Sequence, residues 1–312
     1  MNRNIMLIGA ALLGAPALPA AVMAADTPMT PYSKQVAIGA QDRVDITNVA
    51  GSLNISTWDR NEVDIQGELA SGVERVDVTK DSGGLVIRVV VDENMWKKNK
   101  WEGEAWRRSV ANLKIRLPAT VRLEANTVSA NLTVSGVKGK TRLKSVSGDI
   151  RSDVISSDFE AKSVSGDVEL SGNGSPQARV RANSVSGDVT LTRMGGQVDA
   201  KSVSGDVDVA LQAADDSRIG SVSGDVEVTG SLAAQGDLDV QTVSGRARVI
   251  AQSSGGYRYE LNSFSGRIKS CLPGEMEPRK NSRGGRLSGV LSQGNGDITV
   301  KSHSGNVELC DR

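Results

Sequence analysis

Aromatic residues are scarce in this chain of 312 residues: Phe, Trp and Tyr together make up 3%. That is little for a protein whose work is stacking on bases or sugar rings. There is one histidine, so Ser-His or Cys-His nucleophilic chemistry has only His303 to centre on. There are two cysteines, and no His/Cys group has the spacing of a zinc site. Net charge is absent too. The 37 basic residues balance 37 acidic ones, which leaves no global field to draw in nucleic acid. No segment keeps a 3.6-residue apolar period, so little helix is expected. No glycine-rich loop stands between a strand and a helix to hold phosphate. Neither a cofactor nor a metal is expected, and carboxylate pairs such as Asp215-Asp216 and Glu102/Glu104 suit ordinary turns and loops.

Apolar runs are short beyond the first residues. Arg3, the apolar stretch Ile5 to Leu18 and Val22-Met23-Ala24 read as a secretory signal peptide, residues 1–24, cleaved after Ala24. Pro16 and Pro19 interrupt the run, which is too short to favour a membrane anchor, and no later segment is apolar enough to span a bilayer. Export is therefore expected, to the periplasm or the cell surface. An oxidising compartment lets Cys271 and Cys310 pair. Residues 25–33, with Pro28 and Pro31, read as a flexible lead. Residues 34–120 read as an N-terminal β region or cap with a Trp-rich insertion at 92–110.

What the chain has in quantity is one phrase. Ser-Val-Ser-Gly-Asp-Val or a close copy occupies 145–150, 163–168, 184–189, 202–207 and 221–226. Weaker copies stand at 127–132, 242–247, 263–268 and 302–307, and Asn48-Val49-Ala50 begins a worn one. The second serine falls at 129, 147, 165, 186, 204, 223, 244, 265 and 304, in steps of 18 to 21 residues and a last step of 39. Such a period implies stacked units, each too small to bury its own apolar face. The expected fold is all-β: a single-stranded parallel β-solenoid (β-helix) of 18–21 residues per coil over 121–312, with capped ends and a Cys-bounded C-terminal cap. Propeller blades need about 40 residues each.

Within a unit, Val198 and Ala200 share one strand parity, and Val203, Val207 and Val209 the other. A face switch near Lys201-Ser202 brings all of them inside. The competing arrangement puts the corner at Ser204-Gly205 and turns Val203 outward. The first is preferred here, because a row of exposed valines makes a poor surface. The repeated glycine suits a crowded bend. Stacked Asp149, Asp167, Asp188, Asp206 and Asp225 are read as turn residues bonding their own backbone rather than as a cation column, since Arg246 and Arg267 replace them later. Lys144, Lys162 and Lys201 are candidates for a compensating column. His303, in a valine slot, is placed in the last coil, where its ring reaches water. The insertion Pro273–Gly285 is a candidate C-terminal cap.

One stretch stands apart. Trp96, Trp101 and Trp106 alternate with Lys97, Lys98, Lys100, Arg107 and Arg108. Five-residue spacing puts these rings on no single helical face. Exposed Trp beside Lys and Arg suits an anionic surface or a partner protein, whereas rings folded back onto the first coil would serve only as a lid on the core.

The phrase at about 20-residue steps resembles a bacterial β-strand-repeat family, the "putative adhesin" or toast-rack domain, over roughly 45–310. The resemblance implies a solenoid in the envelope or outside the cell and brings no catalytic or ligand residues with it. The expected function is a non-enzymatic envelope scaffold or adhesin-like binder of a protein, glycan or lipid surface. An accessory or sensor protein for envelope stress is the alternative, and a polysaccharide-active enzyme a more distant one.

Overall fold

The computed structural model describes residues 28–92, 109–155, 158–279 and 284–311. The proposed signal peptide and residues 93–108, which hold Trp96, Lys97, Lys98, Trp101, Trp106, Arg107 and Arg108, lie outside the described residues.

Among the described residues there are strands and no helix. The solenoid expected from the repeats is present. Each coil has two strand arms that meet at the Ser-Gly corner, as in Thr141–Ser145 and Ile150–Val154. Equivalent residues stack in register: Leu170 lies beside Leu191, Ala182 beside Ala200, and Val207 between Val189 and Val226. The neighbouring pairs are parallel, so they are separated by about 4.8 Å along the axis. The inward columns of both arms close on one dry core, in which Leu143, Ile150, Val168, Val189 and Val226 are essentially inaccessible.

Chain order and spatial order part company at both ends. Arg43–Trp58 lies between the pair Gly84–Val91 and Val110–Pro118 on one side and Arg122–Val134 on the other. At the far end Gly296–Ser302 and Val307–Cys310 lie between the coil 237–253 and the coil 257–270. The coil of His303 is thus the last in sequence but not in space, which corrects the placement expected above. The 39-residue step marks this intercalation: Ser304 donates its backbone N–H to Val243, and Ser265 donates to His303.

Both ends are blunted by antiparallel strands. Val73–Asp81 covers Gly84–Val91, and Glu62–Ala70 covers Val110–Pro118 and is itself covered by Met29–Ala37. At the other end Gly285–Leu291 covers Tyr257–Ser263, and Glu275–Pro278 lies outside it. These outer strands carry charge and proline (Lys34, Pro31, Glu275, Glu277, Pro278), which discourages further edge pairing. A disulfide joins Cys271 to Cys310, tying the outermost coil to the intercalated one.

Candidate functional site

The corner explains why the phrase is written as it is. Its first serine points inward and is buried, as Ser145, Ser163, Ser184, Ser202 and Ser221 all show. Ser202 Oγ accepts the Gly205 N–H at 3.0 Å and donates to the Gly187 carbonyl of the coil beneath at 2.9 Å. Ser221 repeats both bonds with Gly224 and Gly205, and Ser184 with Gly187 and Gly166. A valine there would leave two buried backbone groups unsatisfied, at roughly 1–3 kcal/mol each. The glycine of each phrase stands over the carbonyl of the glycine below. A Cβ on Gly205 would lie 2.2 Å from Gly187 O, and one on Gly224 2.1 Å from Gly205 O. Close stacking, not backbone dihedral, demands glycine here.

With serine and glycine inside, valine is turned out. Val128, Val146, Val164, Val185, Val203, Val222, Val243 and Phe264 are each 40–47% exposed. The inward orientation expected for Val203 is therefore wrong, and the corner lies at Val203–Gly205. Apolarity misled because the buried slot needs a hydroxyl more than it needs a methyl. These side chains form a ridge along the solenoid. Nine positions, counting His303 between Val243 and Phe264, give eight steps of about 4.8 Å, or roughly 38 Å. The ridge peptides are already paired coil to coil, Ser204 N to Val185 O and Ser223 N to Val203 O at 2.9 Å each.

The aspartates line the other side of the corner. Asp188 Oδ1 accepts the Asp206 N–H at 2.8 Å, and Asp206 Oδ1 accepts that of Asp225 at 2.7 Å. The column thus bonds backbone, as expected, but the backbone of the next coil rather than its own. The lysines do not compensate it: Lys144 pairs with Glu124, Lys162 with Glu160 and Lys201 with Asp199. Arg246 Nη2 lies 2.9 Å from Asp225 Oδ2, and Arg151 Nη1 3.3 Å from Asp149 Oδ2. Burial, then the charges of Glu227, Asp206 and Asp188, push the neighbouring Asp208 carboxyl upward. Among the described residues no group of three or more His, Cys, Asp or Glu could hold a metal ion.

Beside the ridge, on the first arm, runs a groove of about 790 Å³. Val203, Val222 and Val243 line it together with Lys201, Arg218 and Lys301. Phe264 closes one end. His303 stacks on it at 4.9 Å with planes 8° apart, and the Arg279 guanidinium lies 5.2 Å from its ring centre. This groove was missed in the sequence, although the aromatic replacements of valine at 264 and 303 were its visible trace.

At the N-terminal end Asp64 is buried and satisfied. It accepts from Arg116 Nη2 at 2.6 Å, Gln35 Nε2 at 3.1 Å and Gln66 Nε2 at 3.0 Å. The Arg116 hydrogen bond holds its carboxyl below the usual range despite burial. Trp58, the one described tryptophan, lies against Arg116 and Arg60.

The described strands before and after residues 93–108 both pair with Arg43–Trp58. Gly84–Val91 pairs as far as Arg88 opposite Thr47, Val110–Pro118 begins opposite Ala50, and Asn48–Ala50 stack on Thr127–Ser129, where the valine ridge starts. Cys271 and Cys310 are brought together as expected.

Stacked two-armed coils with a Ser-Gly corner define a β-solenoid of the toast-rack kind. The chain belongs to the Toastrack DUF4097 family, whose pattern matches residues 41–235 and 196–310. Solved structures match the chain only distantly. A "putative adhesin" from Parabacteroides distasonis is 11% identical, with 91% of this chain and 98% of that chain covered and a TM-score of 0.49. A "putative adhesin" from Bacteroides fragilis is 10% identical, with 92% and 99% covered and a TM-score of 0.43. A "putative lipid binding protein" from Parabacteroides distasonis is 11% identical, with 90% and 96% covered and a TM-score of 0.34. They are too distant to bring a function with them. No curated protein matches the chain. No helix among the described residues is long and apolar enough to cross a membrane.

Proposed function

We propose that this protein is an exported, non-enzymatic scaffold of the cell envelope that binds through the outer surface of its corner. The observation that carries this reading is the ridge. Its valines are repeated as regularly as the buried serines and glycines, yet each leaves 40–47% of its surface in water. An exposed apolar stripe of this length is uncommon on a monomeric surface and marks contact with something else. The stacked coils supply a stiff support and the ridge supplies desolvation.

The Trp-rich segment extends the same reading. Trp96, Trp101 and Trp106 with Lys97, Lys98, Arg107 and Arg108 bring rings and positive charge suited to an anionic envelope surface, whether protein, glycan or lipid. The described strands on either side of that segment pair with Arg43–Trp58, whose Asn48–Ala50 stacks on the start of the ridge. Two variants test the proposal by retention of the mature protein on sedimented envelope fractions. Val203→Ser/Val222→Ser/Val243→Ser and, separately, Trp96→Ala/Trp101→Ala/Trp106→Ala are each expected to lower retention with the fold intact. Unchanged retention of the first removes the ridge from the account, and unchanged retention of the second removes the segment.

A further inference from the structure

The groove beside the ridge is more than a strip of exposed valine, because its charge is uneven along its length. Lys201 is held by Asp199 at 2.8 Å, and Arg218 lies 3.4 Å from Asp216. Neither is free to meet a ligand without giving up a carboxylate. Lys301 and Arg279 are different: neither has a carboxylate partner among the described residues. Arg279 Nη2 donates to Asn262 Oδ1 at 3.3 Å, and its plane lies over Phe264. Asn262 is the register partner of Lys301 in the adjacent coil. These two cations thus flank one asparagine, at the end of the groove where Phe264 lies. Val203, Val222 and Val243 supply the apolar side chains farther along the groove, and the one carboxylate in its lining, Asp239, accepts from Gln241 Nε2 at 2.8 Å.

An elongated apolar track that ends in these two cations is complementary to an elongated apolar molecule with one anionic end. We infer that the groove binds a single-chain anionic amphiphile, a monomeric long-chain carboxylate. The hydrocarbon lies along Val203, Val222 and Val243, and the head group meets Lys301 and Arg279. Two further observations favour this occupant. The volume of about 790 Å³ falls within the ordinary range of small-ligand sites. The ridge backbone is already bonded between coils, as in Ser244 N to Val222 O at 3.0 Å and Ser304 N to Val243 O at 2.8 Å. An extended peptide laid there finds no main-chain partners and keeps its own amides unsatisfied, whereas a hydrocarbon has none to satisfy. A two-chain lipid held in a bilayer keeps its tails in the membrane and cannot lay them along an exterior groove.

This inference rests on the reading of the ridge as a contact surface and is narrower than it. The test is titration of the purified mature protein with oleate below its micelle concentration, followed by calorimetry. Wild type is expected to bind saturably at one site. Lys301→Gln/Arg279→Gln is expected to bind oleate at least roughly tenfold more weakly, the loss of a charge-assisted contact. The same variant should bind oleyl alcohol as wild type does. Val222→Asp should weaken both ligands, and a urea midpoint near that of wild type shows that each variant is folded. Three results overturn the inference: no saturable oleate binding by wild type, equal oleate affinity in the charge variant, or binding only to phosphatidylglycerol vesicles. If wild type ignores oleate yet the valine variant loses envelope retention, the amphiphile is wrong and the ridge stands. If oleate binds as expected and retention is unaffected, the groove stands and the ridge is not the envelope contact.

Discussion

The two faces of the corner invite comparison. Ser202 and Gly205 face in, Val203 faces out, and the sequence repeats all three with the same regularity. For the inner pair the structure supplies a reason, repeated from Ser184 through Ser202 and Ser221 to Thr242. The hydroxyl joins two backbone groups of adjacent coils, and the glycine has a carbonyl within 2.2 Å of where its Cβ would be. For the outer valine the fold supplies no comparable need. Repetition inside therefore reports on assembly, and under the function proposed above repetition outside reports on what the assembly binds.

Substitutions can break this contrast, beginning with the largest effect. Gly205→Val drives a side chain into the backbone of the coil below, and should destabilise by about 5 kcal/mol or prevent folding, seen as a lost or shifted urea transition. Removing the bridge with Cys271→Ser/Cys310→Ser frees the outermost coil from the intercalated one. About 2–4 kcal/mol of local stability should disappear, read as faster amide exchange in 257–270 and 296–310 than in 141–232. Ser202→Ala strands the Gly205 N–H and Gly187 carbonyl and should cost about 1–3 kcal/mol in urea unfolding.

A pH titration sharpens the contrast at the N-terminal end. The Asp64 carboxyl is depressed in the folded state, mainly by Arg116. Its stabilisation is fully present above the ordinary carboxylate range and is lost as pH falls through the folded value. Asp64→Asn should therefore flatten the acid limb of the stability curve while leaving its slope near neutrality unchanged. An identical acid limb in wild type and variant would show that Asp64 is not the group responsible. The smallest effect belongs to the ridge: Val203→Ser should cost only about 0.5–1 kcal/mol, because the side chain is half in water already.

The sequence made the solenoid, its period and the cysteine pair legible, because parallel stacking copies the same local requirement into every coil. The direction of Val203 was not legible. Parity changes across the corner, and apolarity alone favours the wrong side when the inward slot is held by a hydrogen-bonding serine. The order of the terminal coils was not legible either. Strand edges recognise a neighbour's register, not its number in the chain. Ser265 lies 21 residues after Ser244, an ordinary step, yet Ser304 takes the place between them. The groove needed three-dimensional information, since Arg279 reaches Phe264 from the cap rather than from the repeat.

The most direct test sets equilibrium urea unfolding of Val203→Ser/Val222→Ser/Val243→Ser beside that of Ser202→Ala/Ser221→Ala. The three outer replacements together are expected to destabilise the protein no more than the two inner ones. A valine variant that unfolds far more easily than the serine variant would make the ridge part of the fold's own support, and would contradict its assignment as a surface kept for a partner.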